Sequence, residues 1–417
     1  MKVREIDGET FNNFANNHPL KNFYQTKEYG DLMIHSDFSV MYIGGFEDDV
    51  LVAASLILYK TIGPSMKYGY APRGFLLDYY DPDLLKKFTK EIKSYYFKKS
   101  FAFIKINPEI TYSTIDFDNK SKLINSRNKK LVEDMKKMGY DKLRDNLYFE
   151  SMLPKYTPVI NLQSYNFENL DAKVINNARN GELSGIRLVT GDESDVPTLY
   201  SFVQNKGNKT EVFYKVFYDI FKKSEMVDLL LVELNYQTYV KFLQKQFVFE
   251  QENNERINQE FEEDTTSMET YNKKMKSDQT LSRIQSEIAL ANQKMQENRF
   301  RQILGAAFVI KHQGRITVFI SGQTDQFQGV DIKSFMYYKI IEGYKKAGYL
   351  FLDLYGITAD FSDTNPYKKL NDFKLSFKPT VFEYIGELDL IVNKPFHQLL
   401  WATNKIQREF YKPAIKK

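Results

Sequence analysis

The longest regular apolar pattern lies in a part of the chain that contains neither glycine nor proline, residues 208–304. Its second half places apolar residues at alternating spacings of three and four, namely Leu281, Ile284, Ile288, Ala291 and Met295. That spacing is the a/d seam of a coiled coil. The first half carries a more dilute stripe of the same kind, made of Leu243, Phe247, Ile257, Phe261 and Met268. We therefore predict a helical insertion, with an antiparallel coiled-coil hairpin over residues 239–301 that turns between residues 264 and 278.

Elsewhere the pattern alternates between strands and helices in an order that occurs twice. The first half predicts paired strands at 41–46 and 50–59, a helix at 82–97, a strand at 101–106, a basic helix from about residue 128 to Gly139, and a short strand near 147–149. The second half predicts paired strands at 306–310 and 315–320, a helix at 331–347 capped by Asp331, a strand at 349–354, a helix at 367–377 and a final strand at 381–392. Two α/β units of the acyltransferase type explain this repetition.

The remaining segments complete a two-domain interpretation. Strands are predicted at 156–162 and 186–189 with a helix at 173–180 between them, and an amphipathic helix at 395–411. A chain of 417 residues exceeds what a single hydrophobic core usually serves. We expect a first domain over residues 1–155 and a second over 156–385 that contains the helical arm. Residues 386–417 are expected to return to the first domain.

The amino-acid composition limits the cellular compartment in which the protein is expected and the kinds of site it can contain. The chain has no cysteine, which excludes disulfides and thiolate zinc sites and suits a reducing cytoplasm. Its four histidines are scattered, so no metal site is expected. No stretch has the length and apolarity of a signal peptide or a membrane span. The net charge is only +4, so binding of a polyanion would depend on local basic clusters at 86–99, 127–142 and 405–417.

Several short motifs, taken in order with the helical arm, resemble one family over nearly the whole chain. They are Phe23-Tyr24-Gln25-Thr26, Ala71-Pro72-Arg73-Gly74 followed by Asp78-Tyr79, Phe103-Ile104-Lys105-Ile106-Asn107-Pro108, Leu354-Tyr355-Gly356, Phe373-Lys374-Leu375-Ser376-Phe377-Lys378-Pro379-Thr380, and Tyr384-Ile385-Gly386-Glu387. The sequence resembles the Fem aminoacyltransferases, the FemABX and MurM type.

This resemblance implies a fold and an activity. The fold is α/β (α+β), with two GNAT-like domains and a helical arm similar to that of a seryl-tRNA synthetase. The activity is transfer of an amino acid from aminoacyl-tRNA to the stem-peptide amine of a peptidoglycan precursor, either lipid II or UDP-MurNAc-pentapeptide. Aminoacyl-tRNA is then a co-substrate, and no other cofactor is implied. A Fem-like sister protein and peripheral contact with the cytoplasmic face of the membrane are further expected partners.

The chemistry of that reaction can be compared with the residues present. An amine attacks the ester carbonyl directly, so the site needs a donor for the developing oxyanion and a way to remove a proton from the amine. The absence of cysteine suits direct attack rather than an acyl-enzyme on a thiol. By the resemblance, Lys374 occupies the position of the catalytic lysine and would stabilise the oxyanion.

The resemblance also suggests residues that contact substrate. Lys27, Tyr29 and Lys105 would line a cleft for the precursor, and Asn107 is a further candidate for substrate binding. Tyr355-Gly356 would border the acceptor peptide or simply turn the chain. Arg73 would either touch substrate or hold its own turn through an ion pair with Asp78. Arg179 and Lys209 are the remaining candidates for substrate binding. For aminoacyl-tRNA, basic residues are expected to contribute at Lys129, Lys136, Lys137, Lys405, Arg408 and Lys412.

The sequence departs from the family pattern at several of these places. Met33 stands where the family usually has a lysine that contacts phosphate, and Asn107 stands where it usually has aspartate. Asn176 and Asn177 stand in a helix that is richer in basic residues in relatives, and the segment near Lys209 lacks their substrate-binding arginine. These departures leave an altered acceptor or a weakened activity open.

Two other functions remain open on the sequence alone. An acetyl-CoA acyltransferase would need a glycine-rich loop before a helix to bind pyrophosphate, and no such loop follows either central strand. A non-catalytic scaffold that uses the arm to bind tRNA or a sister protein is compatible with the departures. An assay for amino-acid transfer separates these alternatives.

Overall fold

The first half of the chain forms a sheet with helices on both sides. The computed structural model describes residues 1–117, 121–148, 152–207, 209–297, 299–325, 327 and 329–402. The elements before residue 150 are β1 (Lys2–Glu5), α1 (Gly8–Asn17), α2 (Lys27–Ile34), β2 (Ser39–Glu47), β3 (Val50–Ile62), β4 (Met66–Ala71), α3 (Pro82–Lys98), β5 (Phe101–Ile106), β6 (Thr111–Asp116), β7 (Ser121–Ile124), α4 (Ser126–Lys137) and β8 (Tyr140–Lys142).

The second half repeats this architecture and adds a pair of long helices. Its elements are β9 (Tyr156–Asn161), α5 (Ala172–Leu183), β10 (Ile186–Thr190), α6 (Val196–Val203), α7 (Glu211–Lys223), β11 (Val227–Asn235), α8 (Tyr236–Glu263), α9 (Met268–Gln296), β12 (Arg301–His312), β13 (Arg315–Gln323), α10 (Ile332–Lys346), β14 (Phe351–Asp353), α11 (Lys368–Leu375), β15 (Thr380–Tyr384), β16 (Leu388–Ile391) and α12 (Lys394–Ala402).

The helices begin where capping chemistry permits. Asp81 accepts hydrogen bonds from the backbone amides that open α3, and proline occupies the first turn, where a missing N–H costs nothing. Asp331 caps α10 in the same way by accepting from Ser334 N. These two helices each connect a pair of parallel strands, β4 with β5 and β13 with β14. The predicted helices at 82–97 and 331–347 are thus confirmed.

Two sheets divide the strands between them. The first has the order β1-β2-β3-β4-β5-β16-β8, and the second has the order β10-β11-β12-β13-β14-β9-β15-β6-β7. In each sheet the described strand pairs are antiparallel except for the one parallel pair. The sheets exchange strands, because β6 and β7 pair into the second sheet and β16 returns to the first. The predicted α/β class is confirmed, whereas the domain limits at residues 155 and 385 stay a prediction.

The two halves of the chain correspond to each other with an offset of one strand from the predicted correspondence. The strands β1 to β4, α3 and β5 follow the same order as β10 to β13, α10 and β14. The prediction treated the hairpin of β2 and β3 as the counterpart of the hairpin of β12 and β13, because it missed the strands β4 and β11. Strand β11 lies inside the stretch without glycine or proline, so the prediction that this whole stretch is helical was wrong. Its apolar run at Leu229, Leu230 and Leu231 is a central strand.

The long helices α8 and α9 form a hairpin between β11 and β12. In the first repeat the equivalent position, between β2 and β3, is a tight turn at Asp48 and Asp49, both with positive φ. The helical arm therefore takes the place of a hairpin turn. The two helices run antiparallel, since Tyr239 contacts Glu287 and Asn254 contacts Asp278. They span Tyr236 to Gln296, whereas the arm was predicted over 239–301, and Arg301 already belongs to β12. The turn is shorter than predicted, because α9 already begins at Met268. Supercoiling of the two helices stays a prediction.

The seam of the arm is apolar near the body and polar farther out. Leu243, Ile284 and Ala291 are buried and continue the core of the second sheet. Farther along, Asn254 Nδ2 donates to Asp278 Oδ1 at 2.7 Å, and a buried amide at a seam position fixes the register of two helices. Met268 is 73% exposed, so its predicted place in the seam was wrong.

Three further expectations differ from the structure. The predicted strand near 147–149 is absent at residues 147 and 148, and residue 149 lies outside the described residues. The predicted final strand at 381–392 is two strands in different sheets, separated by Gly386 at a φ of +80°. A left-handed residue lets the chain change direction there. The tail helix is present as α12 to Ala402, and its predicted continuation to residue 411 lies outside the described residues.

The hydrophobic cores join the two halves. One core packs the second sheet against α5, α10 and the base of the arm. Another covers the opposite face of that sheet with α6 and α7, and it also takes in Phe23, Tyr24 and Leu32 from the first half. The short segment before α2 thus packs against the second sheet, which brings Tyr24 to the end of β14. Among the described residues, every helix is too short or too polar to cross a membrane.

Candidate active site

Lys374 is a buried cation near the end of α11. Its side chain is 6% exposed, and its Nζ donates hydrogen bonds to the carbonyl oxygens of Tyr355 at 3.1 Å and Gly356 at 2.8 Å. Within the described residues it has no carboxylate partner. An ammonium group has three N–H donors. Two are engaged by the carbonyls, and one remains for a ligand.

The surroundings of Lys374 change its protonation. Burial, and secondly the charge of Lys333, lower the pKa of Lys374 to about 7, although Asp353 opposes this. A low-dielectric site disfavours the charged form of lysine because water no longer solvates it. Near neutral pH the group therefore exchanges a proton readily, which is the property expected of a residue that acts on a reacting centre.

Lys333 lies close to Lys374, and Lys206 lies close to Lys333. Lys333 stands in the first turn of α10 with its Nζ 4.1 Å from the centre of the Phe373 ring, and Lys206 Nζ donates to the carbonyl of Ser321 at 2.7 Å. Burial, and secondly the charge of Lys206, lower the pKa of Lys333 to about 8. None of the three has an ion-pair partner in the described part of the chain. We call these three side chains the lysine cluster, and a group of lysines without ion pairs suits an anionic ligand.

The carbonyls that hold Lys374 belong to an unusual turn after β14. Tyr355 has a φ of +64°, and its backbone N–H donates to Asp353 Oδ1 at 2.7 Å. At Gly356 a Cβ would lie 2.3 Å from the Cβ of Pro154, so only glycine fits. The turn is thus fixed by a carboxylate on one side and by close packing on the other. Both carbonyls are held towards the lysine as a consequence.

A buried network of charged side chains holds Asp353, the carboxylate that fixes this turn. Asp353 Oδ2 accepts from Arg315 Nη2 at 2.6 Å, and Arg315 Nη1 also donates to Glu109 at 2.7 Å. The same carboxylate of Glu109 lies 3.4 Å from Arg73 Nε. Burial opposes ionisation of Glu109, but Arg315 and Arg73 hold the pKa of its carboxyl below its usual value. The network runs from the first half of the chain to the turn that binds Lys374.

Tyrosines from both halves meet beside the turn. The hydroxyls of Tyr24 and Tyr355 are 3.0 Å apart, and the ring of Tyr29 packs edge-on against Tyr24 at 4.9 Å. Burial raises the pKa of all three phenols, so they stay neutral donors. Together they form an aromatic wall, to which the first half of the chain contributes Tyr24 and Tyr29 and the second half contributes Tyr355.

Comparison with known proteins assigns the chain to a protein family. The model of the FemAB family matches residues 6–405. This chain belongs to the FemAB family. It is 22% identical to an aminoacyltransferase FemA of Staphylococcus epidermidis over 429 aligned residues, which cover 98% of this chain and all of the relative. An aminoacyltransferase FemA of Staphylococcus aureus is 19% identical, with 99% of this chain and all of the relative covered.

A solved structure confirms the fold. The crystal structure of FemX superposes with a TM-score of 0.73 at 16% sequence identity, and the match covers 96% of this chain and all of FemX. At that identity the likeness concerns the fold alone. The resemblance stated from the sequence motifs is thus confirmed as membership of the FemAB family.

The structure of this FemAB protein separates the predicted site residues into groups. Lys374, Tyr355, Gly356 and Tyr29 converge on the site described above. Arg73 lies at the edge of it, but its predicted pair with Asp78 is wrong, because its partner is Glu109. The guanidinium also donates to the carbonyl of Pro154 at 2.9 Å, in agreement with a role in holding the turn.

Two predicted residues lie in the core of the first half. Lys105 is fully buried, with its Nζ 2.9 Å from Asp389 and 3.5 Å from Glu387. Asn107 Oδ1 accepts from the backbone N–H of Arg73 at 2.8 Å. Both side chains thus shape the first sheet and its turn, and contact with a precursor stays a prediction for each.

The other predicted residues are at the surface. Lys27 pairs with Asp31 at 2.6 Å, Arg179 is exposed on α5, and the Nζ of Lys209 lies 4.3 Å from the Phe213 ring centre. The basic residues of α4 are partly neutralised, since Lys136 and Lys137 pair with acidic residues on the same helix. Lys405, Arg408 and Lys412 lie outside the described residues.

Two family departures have structural explanations. Met33, in place of a lysine, is buried in a small core of the first half. Asn177 exchanges two hydrogen bonds with the backbone of Asp331, at 2.8 and 2.9 Å, and so ties α5 to the start of α10. That start carries Lys333. Asn177 therefore has a positioning role that a long basic side chain would not reproduce.

The sequence did not reveal Lys206, Lys333, Arg315 or Asp353. Lys333 follows the capping residue Asp331, and a lysine in a first turn is an unfavourable choice for the helix dipole, which was a usable signal. Asp353 is the one charged residue in the apolar run of residues 349–354, which was a second signal. Its pairing with Arg315 depends on the register of two parallel strands, and no local pattern shows that.

Proposed function

We propose that this enzyme moves an amino acid from aminoacyl-tRNA to the stem-peptide amine of a peptidoglycan precursor. Its relatives are named aminoacyltransferases, so the predicted transferase activity is confirmed at the level of the family. The observation that carries the proposal is Lys374, a buried lysine with two hydrogen bonds to carbonyls and one free donor beside an aromatic wall.

The proposed role of Lys374 is to stabilise the oxyanion. The acceptor nitrogen forms a bond to the ester carbonyl carbon, and the carbonyl electron pair moves to the oxygen. The third N–H of Lys374 donates to that oxygen. When the intermediate collapses, the bond to the ribose oxygen breaks, and the proton lost by the attacking nitrogen ends on that oxygen. A donor of this kind is typically worth about 3 kcal/mol of barrier.

The positive charge of the lysine cluster is an argument for aminoacyl-tRNA as the donor of the amino acid. Lys333 lies close enough to Lys374 to lower its pKa, and Lys206 acts in the same way on Lys333. Neither Lys206 nor Lys333 forms an ion pair within the described residues, although Asp325 and Asp331 partly offset their charges. The 3′ end of an aminoacyl-tRNA brings phosphates close to the reacting ester. Contacts between lysines and phosphates supply much of the affinity for nucleic acids.

Residues from the first half of the chain form the side of the site that we assign to the acceptor, the peptidoglycan precursor. Tyr24 and Tyr29 face the turn of Tyr355, so a ligand that reaches Lys374 from that side passes the aromatic wall. Lys27 is the partly exposed cation nearest to them in sequence. We assign this side to the stem peptide of the precursor. We propose that residues other than the buried Met33, which stands where the family usually has a lysine, hold the phosphates of the precursor.

A transfer assay tests the proposal. The purified protein is mixed with glycyl-, alanyl- or seryl-tRNA and with lipid II or UDP-MurNAc-pentapeptide, and the mass of the precursor is measured. We expect a gain of one or more amino-acid residues with at least one pair of substrates. The variant Lys374→Met should lose most of this activity, and Lys369→Met, an exposed position on the same helix, should keep it. No gain of mass with any pair would favour the non-catalytic scaffold.

A further inference from the structure

A cavity lies where the helical arm joins the body. Its volume is about 670 Å³, and its walls come from the first turn of α8, the last turns of α9, the start of β12 and the loop after β13. Ligand pockets in proteins usually measure roughly 300–1,000 Å³. The cavity is thus large enough for a compound the size of a mononucleotide. No part of it belongs to the site around Lys374.

One wall of the cavity is aromatic. The rings of Tyr239 and Phe327 lie 5.5 Å apart at an angle of 47°, and Tyr236 adds a third ring. The hydroxyl of Tyr236 donates to Gln302 Oε1 at 2.7 Å. An aromatic surface with an amide beside it is the combination that protein sites use to stack on a base and to hydrogen-bond its edge.

The rim of the cavity is basic. Arg283, Lys294, Arg299 and Arg301 line it, and Glu287 is its one lining carboxylate among the described residues. Glu287 is already engaged by the hydroxyl of Tyr239 and by Arg283 at 2.6 Å. The side chains of Arg299 and Arg301 are 68% and 69% exposed, and they pair with Glu297 at 3.9 Å and with Glu233 at 3.4 Å. Such loose pairs leave both arginines able to bind phosphate.

We propose that this cavity binds a nucleoside phosphate, with the base against Tyr239 and Phe327 and the phosphate on Arg299 and Arg301. The ligand has two sources. It is either a free nucleotide or one nucleotide unit of an RNA strand, and the second source rests on the proposed function.

The position of Phe327 connects the cavity with the lysine cluster. Only a short segment separates Phe327 from Lys333, and a chain of that length spans at most roughly 20 Å. Phe327 at the cavity and Lys333 in the lysine cluster are therefore within roughly 20 Å of each other. An RNA strand whose aminoacylated end reaches Lys374 would pass near Lys333. A nucleotide farther from that end would then lie within reach of the cavity.

Direct binding measurements test the inference. AMP, adenosine and a short fluorescein-labelled single-stranded RNA are titrated into the full-length protein at one fixed salt concentration. The test variant is Arg299→Ala with Arg301→Ala. The matched control is Lys241→Ala with Lys245→Ala, which removes the same charge from exposed positions on α8. Circular dichroism and melting temperature confirm that both variants are folded. Phe327→Ala tests the stacking wall separately.

We expect the test variant to weaken binding of AMP or of the RNA by about tenfold or more, because two charge-assisted contacts are lost. The control variant should change it less than about twofold. Adenosine should bind more weakly than AMP, since it lacks the phosphate. If AMP binds, a free nucleotide is sufficient to occupy the cavity. If the RNA binds and AMP does not, the ligand is a nucleotide unit within an RNA strand.

The inference is overturned if neither AMP nor the RNA binds the wild-type protein, or if the test and control variants bind them alike. These outcomes are separate from a failure of the proposed function. The variant Lys374→Met should bind the probes normally even though it does not transfer. A protein that transfers amino acids but shows no difference between the two variants would contradict only this inference.

Discussion

Arg315 and Asp353, at the start of β13 and the end of β14, are joined by a hydrogen bond of 2.6 Å that lies two contacts away from Lys374. Asp353 holds the backbone N–H of Tyr355, and the carbonyl of Tyr355 accepts from Lys374. The parallel pairing of the two strands thus sets the position of the candidate catalytic amine. Arg73 and Glu109 extend the same network into the first half.

Breaking this pair should weaken both stability and transfer. Arg315→Ala leaves Asp353 and Glu109 without their main cation, and loss of one partner of a buried ion pair costs about 3–5 kcal/mol. We expect a drop of about 3 kcal/mol in the free energy of unfolding, measured by urea denaturation, because Arg315 is partly exposed. The control Lys87→Ala, at the exposed pair with Glu47, should change the free energy of unfolding much less, because water screens that pair.

Gly356 should be irreplaceable. A methyl group there would overlap Pro154, and relief of the clash would move a carbonyl that binds Lys374. Gly356→Ala should therefore reduce the transfer rate by about tenfold or more and should lower the melting temperature. Gly343→Ala is the matched control, because nothing lies within 4 Å of a Cβ at that exposed position of α10. It should stabilise the protein by roughly 0.5–1 kcal/mol.

The pH dependence of transfer should reveal the coupling between Lys333 and Lys374. If the ammonium form of Lys374 donates to the oxyanion, the rate falls as pH rises through its pKa of about 7. Lys333→Met removes a neighbouring positive charge, so it raises that pKa and moves the descending limb to higher pH. Lys346→Met, on the same helix, should leave the limb in place. An unmoved limb in Lys333→Met would show that the two lysines do not interact in the folded enzyme.

Binding of aminoacyl-tRNA should depend on salt through the lysine cluster. Each phosphate contact contributes a slope of about −0.9 in log affinity against log salt on duplex segments and about −0.7 on single strands. Replacement of Lys206 and Lys333 by glutamate should flatten the slope by more than one unit. The same change at Lys136 and Lys137 should have a smaller effect, because those lysines already pair with acidic neighbours. Equal effects would place the main RNA contacts elsewhere.

Much of the fold was predictable because its elements carry local signals. The caps at Asp81 and Asp331, the apolar strand β5 and the spacing of Ile284 and Ala291 each identify an element without knowledge of the rest. Strand β11 was missed because absence of glycine and proline does not distinguish a helix from a buried strand. Strands β15 and β16 were merged because only the turn at Gly386 separates them, and the choice between two sheets is a long-range one.

The candidate site was predictable only where a family motif marked it. Lys374 was assigned from its place after Phe373, and the residues that tune it were not found. Lys333 and Lys206 come from separate elements that meet only in the folded protein. Lys105 was assigned to a cleft from its motif, but the pairing of β5 with β16 places it against Asp389 in the core. A strand position alone does not decide which face becomes buried.

The most direct test of the account is a single-turnover measurement of transfer from aminoacyl-tRNA to the precursor by Lys374→Met. Methionine keeps the buried stem but removes the amine that would stabilise the oxyanion. We predict a rate about a hundredfold lower than that of the wild type, with RNA binding retained, whereas Lys369→Met should react at the wild-type rate. Equal rates for Lys374→Met and the wild type would contradict the central claim.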